Sequence, residues 1–315
     1  MLIMNVVLFA LSCGVLVKSS GLLVKSISKI AHHIGVNEFA IGFIVMALST
    51  SLPELFVGIT SAIAGRPELA LGTIIGSNIL DLTIVIGVVT LLARGVKIKS
   101  KIIKKDIVYM LGIVILPLLL AIDKKITRID GAVLIAVFLL YMWQLTRQER
   151  RFKKKIDNVS KKESAFYSLL TIAGIFILLI SSNYVVRFAT ILSLDLMFPP
   201  IFIGLFIVSL GTSLPELLFE TKAVIAKHED LAVGDLLGSV ITNSTLVLGI
   251  IALIMPISVD LFLFFTSAIF LVLIAFIFMT FAESDKGITW KEGMALILLY
   301  VFFVVIESYI KFVAR

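Results

Sequence analysis

The stretch "STSLPE" at residues 49–54 places a proline and a glutamate inside a long apolar run, and "GTSLPE" at residues 211–216 repeats this arrangement 162 positions later. A proline inside a helix cannot donate a backbone hydrogen bond, and its ring clashes with the carbonyl four residues before it. Each stretch therefore predicts a kinked or interrupted helix, with one carboxylate at the break: Glu54 in the first and Glu216 in the second.

The composition indicates where these helices lie. The chain has 315 residues, of which 60% are hydrophobic, and a mean hydropathy of +1.13, whereas soluble domains are roughly half apolar. Its apolar stretches reach the length of about 20 residues that a helix needs to cross a membrane. They are continuous rather than alternating, which argues against an outer-membrane barrel. An all-α integral membrane protein is predicted. Cys13 is the only cysteine, so neither an intramolecular disulfide nor a thiolate metal cluster is expected.

The N-terminal stretch "MLIMNVVLFALSCG" lacks a basic region, and its apolar character continues to about residue 30. It is interpreted as a first membrane helix rather than a cleaved signal peptide. Ten spans are predicted in all, at about 3–30, 38–64, 69–92, 107–122, 130–146, 165–190, 199–226, 231–255, 258–281 and 289–311.

The net charge of +7 could suggest a nucleic-acid partner, but the basic residues lie in short loops between the spans. The two main clusters are "ARGVKIKSKIIKK" (93–105) and "RQERRFKKKIDNVSKK" (147–162). Assigning the loops to alternating sides places 21 of the 28 lysines and arginines on one side. The positive-inside rule then predicts both termini outside and the loop 147–163 in the cytoplasm, for a multi-pass protein of the plasma membrane with no nucleic-acid partner.

The central loop divides the chain into two similar halves of five spans each. In an ungapped alignment "TSLPEL" at 50–55 recurs at 212–217, and four spaced glycines recur with it. An odd number of spans in each half means that the halves enter the membrane in opposite orientations, which is typical of secondary transporters. We expect two inverted five-helix repeats, with helices 2 and 7 broken at mid-membrane. The predicted units are 1–146 (motif region about 38–92), the loop 147–163, and 164–315 (motif region about 199–255).

The break in the second span has a structural and a functional interpretation. Ser51 and Glu54 are spaced as a capping box, so a new half-helix is expected to start at Ser51. A kinked, capped helix alone would satisfy the pattern in a soluble protein. At bilayer depth, carbonyls exposed near Ala47, Leu48 and Ser49 need a partner that lipid cannot supply. Ala47 and its counterpart Ser209 are therefore included among the candidate ligands. An ionised acid there costs at least about 2–3 kcal/mol. Both costs arise in both repeats, which favours a cation-binding site.

The third and eighth spans add further oxygen atoms. "GSNILD" places Ser77 and Asp81 four residues apart on one helical face, and "GSVITN" places Ser239 and Asn243 at the matching positions. The glycines of these spans are explained equally well by close helix packing, but Asp81 is not. Carboxylates, hydroxyls, an amide and carbonyls form an all-oxygen set that suits Ca²⁺, Na⁺ or Mg²⁺. The three histidines lie near predicted helix ends, which disfavours a transition-metal site.

In these motifs the sequence resembles the sodium/calcium exchangers of the calcium/cation antiporter superfamily, in their compact prokaryotic form. The resemblance implies an antiporter, not an enzyme, which exchanges Ca²⁺ for Na⁺ and needs no cofactor. It implies that Glu54 and Glu216 are the central calcium ligands and that hydroxyl side chains complete the calcium and sodium sites. Those hydroxyl residues are Thr50, Ser51, Thr212, Ser213, Ser77 and Ser239, and Asp81 and Asn243 occupy the remaining polar positions.

The chain departs from the family pattern at several positions. Prokaryotic relatives carry asparagine in the first repeat and aspartate in the second, where this chain has Asp81 and Asn243. Asp235 stands where asparagine is usual, and Glu220 lies one turn beyond the central glutamate. These acids leave the ion list and a coupling to H⁺ or K⁺ open. Glu220 is interpreted as a helix-face residue near the cytoplasmic exit, rather than as an acid that supports the site or couples it to protons.

Two other function classes compete with the antiporter. A channel would need a continuous pore, usually built from repeated subunits, and an intramembrane hydrolase could use the buried acids. The inverted repeats around one site favour alternating access by a monomer, and no mid-membrane histidine or cysteine supports nucleophilic chemistry. The chain lacks a Walker A loop, so ATP-driven pumping has no support. The charge of three acids at the site, together with the family resemblance, predicts electrogenic exchange of about three Na⁺ per Ca²⁺.

Overall fold

The computed structural model of the chain describes residues 2–34, 46–98, 101–149, 161–259, 261–284 and 287–313, and nearly all of them are helical. In the first half the helices are α1 (Leu2–Ile34), α2 (Met46–Thr50), α3 (Leu52–Ile63), α4 (Pro67–Leu80), α5 (Ile86–Ala93), α6 (Lys101–Leu120) and α7 (Arg128–Glu149). In the second half they are α8 (Lys161–Asp195), α9 (Pro200–Ile203), α10 (Ser209–Thr212), α11 (Leu214–Ile225), α12 (Glu229–Thr242), α13 (Leu248–Ile254), α14 (Leu261–Ala282) and α15 (Trp290–Val313).

Wider or tighter helical turns and two short strands complete the described structure. A π-helical turn at Asp81–Val85 joins α4 to α5, one at Gly204–Val208 joins α9 to α10, and one at Asn243–Val247 joins α12 to α13. A 3₁₀ turn covers Ala121–Asp123. Strand β1 (Lys125–Ile126) pairs antiparallel with β2 (Ile257–Ser258), and a single bridge joins Val96 to Ile288.

Within the described residues, nine helical segments are long and apolar enough to cross a membrane, and α3 is a shorter apolar helix at the second predicted span. The predicted all-helical membrane protein is thereby confirmed at this level. The start of the second predicted span, before Met46, and most of the predicted loop 147–163 lie outside the described residues. The other helices agree with the predicted spans within a few residues at most ends. The largest difference is at α6, which begins at Lys101, six residues before the predicted start.

Two helical hairpins present the sequence motifs. α3 and α4 are joined by a tight turn in which Gly65 has a φ of +72°, and α11 and α12 by one in which Lys227 has a φ of +64°. These two residues correspond in the repeat, so the same left-handed turn reverses the chain in both halves. Pro67 stands in the first turn of α4, where its missing N–H has no helical partner in any case.

Glycine contacts between the halves come in reciprocal pairs. A Cβ on Gly131 would lie 2.7 Å from the carbonyl oxygen of Gly249, and one on Gly87 would lie 2.8 Å from that of Gly293. Residues 131 and 293 correspond in the repeat, and so do residues 87 and 249. The backbones of α7 and α13, and those of α15 and α5, therefore approach too closely for any side chain. The contact between Gly131 and Gly249 is therefore repeated, with the halves exchanged, by the corresponding residues Gly293 and Gly87.

The apolar core has a large and a small cluster. The large one joins α3–α7, α9 and α11–α15, with Phe264, Phe278 and Phe303 among its fully buried side chains. The small one joins α1 and α8 to the site helices through residues such as Leu16 and Val185. α1 and α8 occupy corresponding positions in the two halves and pack against each other along their length.

Candidate ion-binding site

The helices break at the predicted places. α2 ends at Thr50 and α3 begins at Leu52, so Ser51 alone separates them, and Ser213 separates α10 from α11 in the same way. The predicted capping box, however, is wrong. Ser51 has φ −75° and ψ 1°, and its side chain makes no capping hydrogen bond. A capping side chain requires an extended backbone at the N-cap, and the near-helical backbone of Ser51 directs its hydroxyl elsewhere.

The breaks do not free the carbonyls of Ala47 and Ser209. The Ala47 carbonyl accepts the Ser51 N–H at 3.3 Å and the Thr50 hydroxyl at 3.3 Å. The Ser209 carbonyl accepts the Ser213 N–H at 2.9 Å and the Thr212 hydroxyl at 3.3 Å. The expectation of freed carbonyls at these two positions is therefore wrong for this conformation, because each oxygen already accepts a backbone N–H and has a threonine hydroxyl within hydrogen-bonding distance. Their role as ion ligands stays a prediction.

Hydroxyl groups join the two halves at the site. The Thr50 and Ser239 hydroxyls lie 3.1 Å apart, and so do the Thr212 and Ser77 hydroxyls. These pairs correspond in the repeat: Thr50 with Thr212, and Ser239 with Ser77. Ser77 also donates to a carboxylate oxygen of Glu54 at 3.1 Å. The broken helix of each half thus contacts the glycine-containing helix of the other half through the predicted residues.

The π-helical turns begin at the two remaining predicted positions. Asp81 is the first residue of the turn Asp81–Val85, and Asn243 is the first residue of Asn243–Val247. Such widened turns occur often at functional sites. The sequence pattern did not predict them. All twelve predicted site residues are at most 4% exposed: Ala47, Thr50, Ser51, Glu54, Ser77, Asp81, Ser209, Thr212, Ser213, Glu216, Ser239 and Asn243.

The site is acidic and poorly hydrogen-bonded. The carboxyl groups of Glu54, Asp81, Glu216 and Asp235 lie close enough to repel one another. Both oxygens of Glu216 have no hydrogen-bond partner, and the same holds for one oxygen each of Glu54, Asp81 and Asp235. A buried polar group without a partner costs about 1–3 kcal/mol, and more when it is charged. A bound cation would neutralise these oxygens and coordinate them at the same time. Such an arrangement is what the predicted set of oxygen ligands implies.

Three residues of the site were not among the predicted ligands: Asn78, Ser244 and Asp235. Asn78 donates to the Ser244 hydroxyl at 2.8 Å and accepts from the Asn243 amide at 3.2 Å. Asp235 accepts from the Thr50 hydroxyl at 3.2 Å. Asn78 stands inside the quoted "GSNILD" stretch, so a polar residue beside Ser77 was the available signal. Sequence spacing alone could not show that Asn78 lies on the side of its helix that faces the second repeat.

The donor set fits a hard cation only if hydroxyls take part. Within the described residues no three histidine, cysteine, aspartate or glutamate side chains come together as a metal-ligand group. The Ser51 hydroxyl is buried and has no hydrogen-bond partner, and the buried Ser213 hydroxyl faces Asp81, so both oxygens are available as further ligands. Ca²⁺ accepts six to eight oxygens of mixed type. Carboxylates from both halves with hydroxyls between them can provide such a shell.

A model of the sodium/calcium exchanger protein family matches residues 4–147 and again residues 166–309. The chain belongs to this family. The resemblance noted in the sequence is thereby confirmed, and it places this exchanger among transporters rather than enzymes. The two matches begin 162 residues apart and end 162 residues apart, which is the offset of the internal repeat.

Individual relatives agree with the family assignment. The exchanger is 28% identical to the sodium/calcium exchanger MaX1 of Methanosarcina acetivorans, with 98% of this chain and all of that protein aligned. It is 29% identical to the membrane protein MJ0091 of Methanocaldococcus jannaschii, over 96% and 97% of the two chains. A solved structure of the sodium-calcium exchanger NCX_Mj, soaked with Na⁺ and Sr²⁺, superposes with a TM-score of 0.70 at 27% identity, over 97% of this chain and 99% of that one. Family and structural match together support Na⁺/Ca²⁺ exchange.

Proposed function

We propose that this exchanger is a secondary active antiporter of the cell membrane, which exchanges Ca²⁺ for Na⁺ by alternating access and carries about three Na⁺ per Ca²⁺. The observation that supports it best is the buried, acidic, poorly hydrogen-bonded site at which both broken helices meet. One bound cation species would neutralise the site, and its exchange for the other would complete the cycle.

The proposed architecture is ten spans in two inverted repeats, 1–146 and 164–315, joined by the cytoplasmic loop 147–163, with both termini outside. Reciprocal contacts support it: the hydroxyl pairs and the glycine pairs each relate positions 162 residues apart. A protein built in this way exposes its site to one side when one repeat opens and to the other side when its counterpart opens.

Alternating access needs two bodies that move against each other. α1 and α8 form their own apolar cluster against the site helices, separate from the large cluster of the other helices. Gly211, beside the second break, packs against α1: a Cβ there would lie 2.8 Å from the sulfur of Cys13. A displacement of the α1–α8 pair would therefore act directly on α10, which ends at the break before Glu216.

The test is Ca²⁺ uptake into proteoliposomes that contain the purified exchanger. Vesicles loaded with Na⁺ should accumulate ⁴⁵Ca²⁺, while vesicles loaded with K⁺ or bearing only a pH gradient should not. Uptake that required K⁺ would favour the K⁺-coupled alternative, since one stretch of this chain is 29% identical to the human sodium/potassium/calcium exchanger 3 over 120 residues. Uptake driven by protons alone, or Ca²⁺ flux that needs no counter-ion at all, would overturn the proposal.

Glu54→Gln and Glu216→Gln should each abolish this uptake while the protein stays folded and monomeric, because each removes a charged oxygen from the site. The matched control is Asp106→Asn, which alters another buried acid, on α6 and outside the site. It should retain exchange. Exchange at the wild-type rate in either glutamine variant would remove that glutamate from the ligand set.

A further inference from the structure

Asp235, at the edge of the central site, has a further buried acid beside it, Glu220, and this acid pair occurs in only one repeat. In the first hairpin Glu54 and Ser77 are equally distant from the turn, and they are hydrogen-bonded at 3.1 Å. In the second hairpin Glu220 and Asp235 are likewise equally distant from the turn. This pair lies one helical turn nearer to the chain reversal at Lys227. Both side chains are fully buried, at 0% exposure. The sequence interpretation of Glu220 as a residue near the exit did not anticipate its complete burial.

These two carboxyl groups have almost no partners within the protein. Both oxygens of Glu220 and one of Asp235 make no hydrogen bond, and the other oxygen of Asp235 accepts from the Thr50 hydroxyl at 3.2 Å. The charges that act on Glu220 are the carboxyls of Asp235 and Asp81. Every buried charged side chain in the described part of the chain is an aspartate or a glutamate. Among the residues whose side-chain burial is described, no lysine, arginine or histidine is buried to balance them.

We propose that Glu220 and Asp235, together with the Thr50 hydroxyl, form an additional Ca²⁺ subsite one helical turn from Glu216. Two carboxylates balance one divalent ion, and carboxylate, hydroxyl and water oxygens are the ligands that Ca²⁺ accepts. Thr50 also lies 3.1 Å from the Ser239 hydroxyl of the central site. Thr50 therefore contacts residues of both sites, and an ion bound by the acid pair would be adjacent to the central site. This inference rests on the proposed function for the identity of its ion.

The first repeat has no room for such a pair. The residues that correspond to Glu220 and Asp235 are Gly58 and Thr73. A Cβ on Gly58 would lie 2.5 Å from the side chain of Ile251, and the Thr73 hydroxyl donates to a carbonyl of its own helix at 2.9 Å. The subsite is consequently one-sided: it lies on the side of the centre toward the turn between α11 and α12. On that side it would concentrate Ca²⁺ before the ion enters the centre.

The experiment counts Ca²⁺ bound to the purified full-length protein. Equilibrium dialysis with ⁴⁵Ca²⁺ in Na⁺-free detergent solution is carried out on the wild type, Glu220→Gln, Asp235→Asn, Glu216→Gln and Asp106→Asn. We expect about two bound ions per wild-type chain and about one in Glu220→Gln and in Asp235→Asn. Glu216→Gln should also lose about one, from the centre, and Asp106→Asn should bind as the wild type does. Each variant is checked for a single monodisperse peak on size exclusion.

A wild type that binds only about one Ca²⁺ would overturn the subsite even if no variant folded, and so would Glu220→Gln and Asp235→Asn variants that bind as much as the wild type. A second arm measures transport from each side of sorted vesicles. Loss of the subsite lowers the local Ca²⁺ concentration beside the centre, so Glu220→Gln should raise half-saturating Ca²⁺ about tenfold on one side and leave the other unchanged. An equal effect on both sides would contradict the one-sided location.

Failure of the subsite and failure of the proposed function give different results. Binding is counted with Ca²⁺ alone, so it does not depend on Na⁺ coupling. Wild-type vesicles without Na⁺-driven uptake would overturn the exchange reaction and leave the ion count standing. Normal exchange with an unchanged ion count in Glu220→Gln would overturn only the subsite.

Discussion

Neutralising Asp81 should change how many Na⁺ ions the exchanger carries. Glu54, Glu216 and Asp81 are the three acids predicted to ligate the central ions. All three are at most 1% exposed, and no basic side chain whose burial is described is buried beside them. An uncompensated charge is strongly disfavoured in a site of low dielectric. Three Na⁺ would neutralise these acids, whereas one Ca²⁺ leaves one negative charge. Asp81→Asn removes one acid, so about two Na⁺ should suffice.

The size of the effect follows from the charge that moves in each cycle. Exchange of three Na⁺ for one Ca²⁺ moves one net charge, and one charge is worth about 2.3 kcal/mol per 100 mV. Since about 1.4 kcal/mol is tenfold in an equilibrium, a potential of about 100 mV should shift the final Ca²⁺ gradient of the wild type about 50-fold. In Asp81→Asn the exchange should be electroneutral, and the same potential should leave the end-point where it was.

The assay is Na⁺-driven ⁴⁵Ca²⁺ uptake to its end-point, with the membrane potential clamped by K⁺ and valinomycin. The matched control is the double variant Asp81→Asn with Asn243→Asp, which keeps three acids and moves one to the corresponding position of the other repeat. It should recover the voltage dependence. A wild-type end-point that ignores voltage would refute the electrogenic proposal. A shift of the wild-type size in Asp81→Asn would refute Asp81 as the third charge.

Two further predictions concern stability and are measured by thermal unfolding in detergent. Asn78→Ala leaves two buried polar partners in the second repeat unsatisfied and should cost about 1–3 kcal/mol, whereas Asn183→Ala, at an exposed residue bonded only to its own helix, should cost little; equal melting temperatures for the two variants would contradict the role of Asn78. Gly249→Ala should cost about 1–3 kcal/mol, because its Cβ would lie 2.8 Å from the Gly131 carbonyl oxygen, whereas Gly112→Ala, whose Cβ would meet nothing within 4 Å, should be tolerated; a stable Gly249→Ala would show that these helices can separate.

Much of the fold could be predicted from the sequence because lipid allows few alternatives. Long apolar runs must be helical in a bilayer, so nearly every predicted span has its helix. Pro53 and its counterpart Pro215 fixed the breaks to within a residue, since proline acts on the backbone locally. The same reasoning predicted that polar residues in apolar runs would be buried together, and the twelve predicted residues are indeed buried.

Side-chain partners could not be predicted in the same way. The capping box failed although its residues were correctly spaced, because Ser51 has the backbone of a continuing helix rather than that of an N-cap. Asn78 was missed as part of the site, and Asp235 was noted only as a departure from the family pattern, because their partners lie in the other half of the chain, more than 150 residues away. Spacing along one helix shows which residues share a face, but the packing of the two halves determines what that face meets.

Some acids of the site occur in only one of the two repeats, and these acids can make the ion affinity differ between the two sides of the membrane. The hydroxyl pairs around Thr50 and Thr212 are matched at 3.1 Å in both halves. In the proposed inverted repeat the outward and inward conformations would exchange the roles of the halves, so a fully symmetric site would bind each ion equally well from either side. The other repeat has an asparagine, a glycine and a threonine at the positions that correspond to Asp81, Glu220 and Asp235. Any difference in ion affinity between the two conformations must therefore come from positions such as these, and because the three are carboxylates, the difference should be larger for Ca²⁺ than for Na⁺.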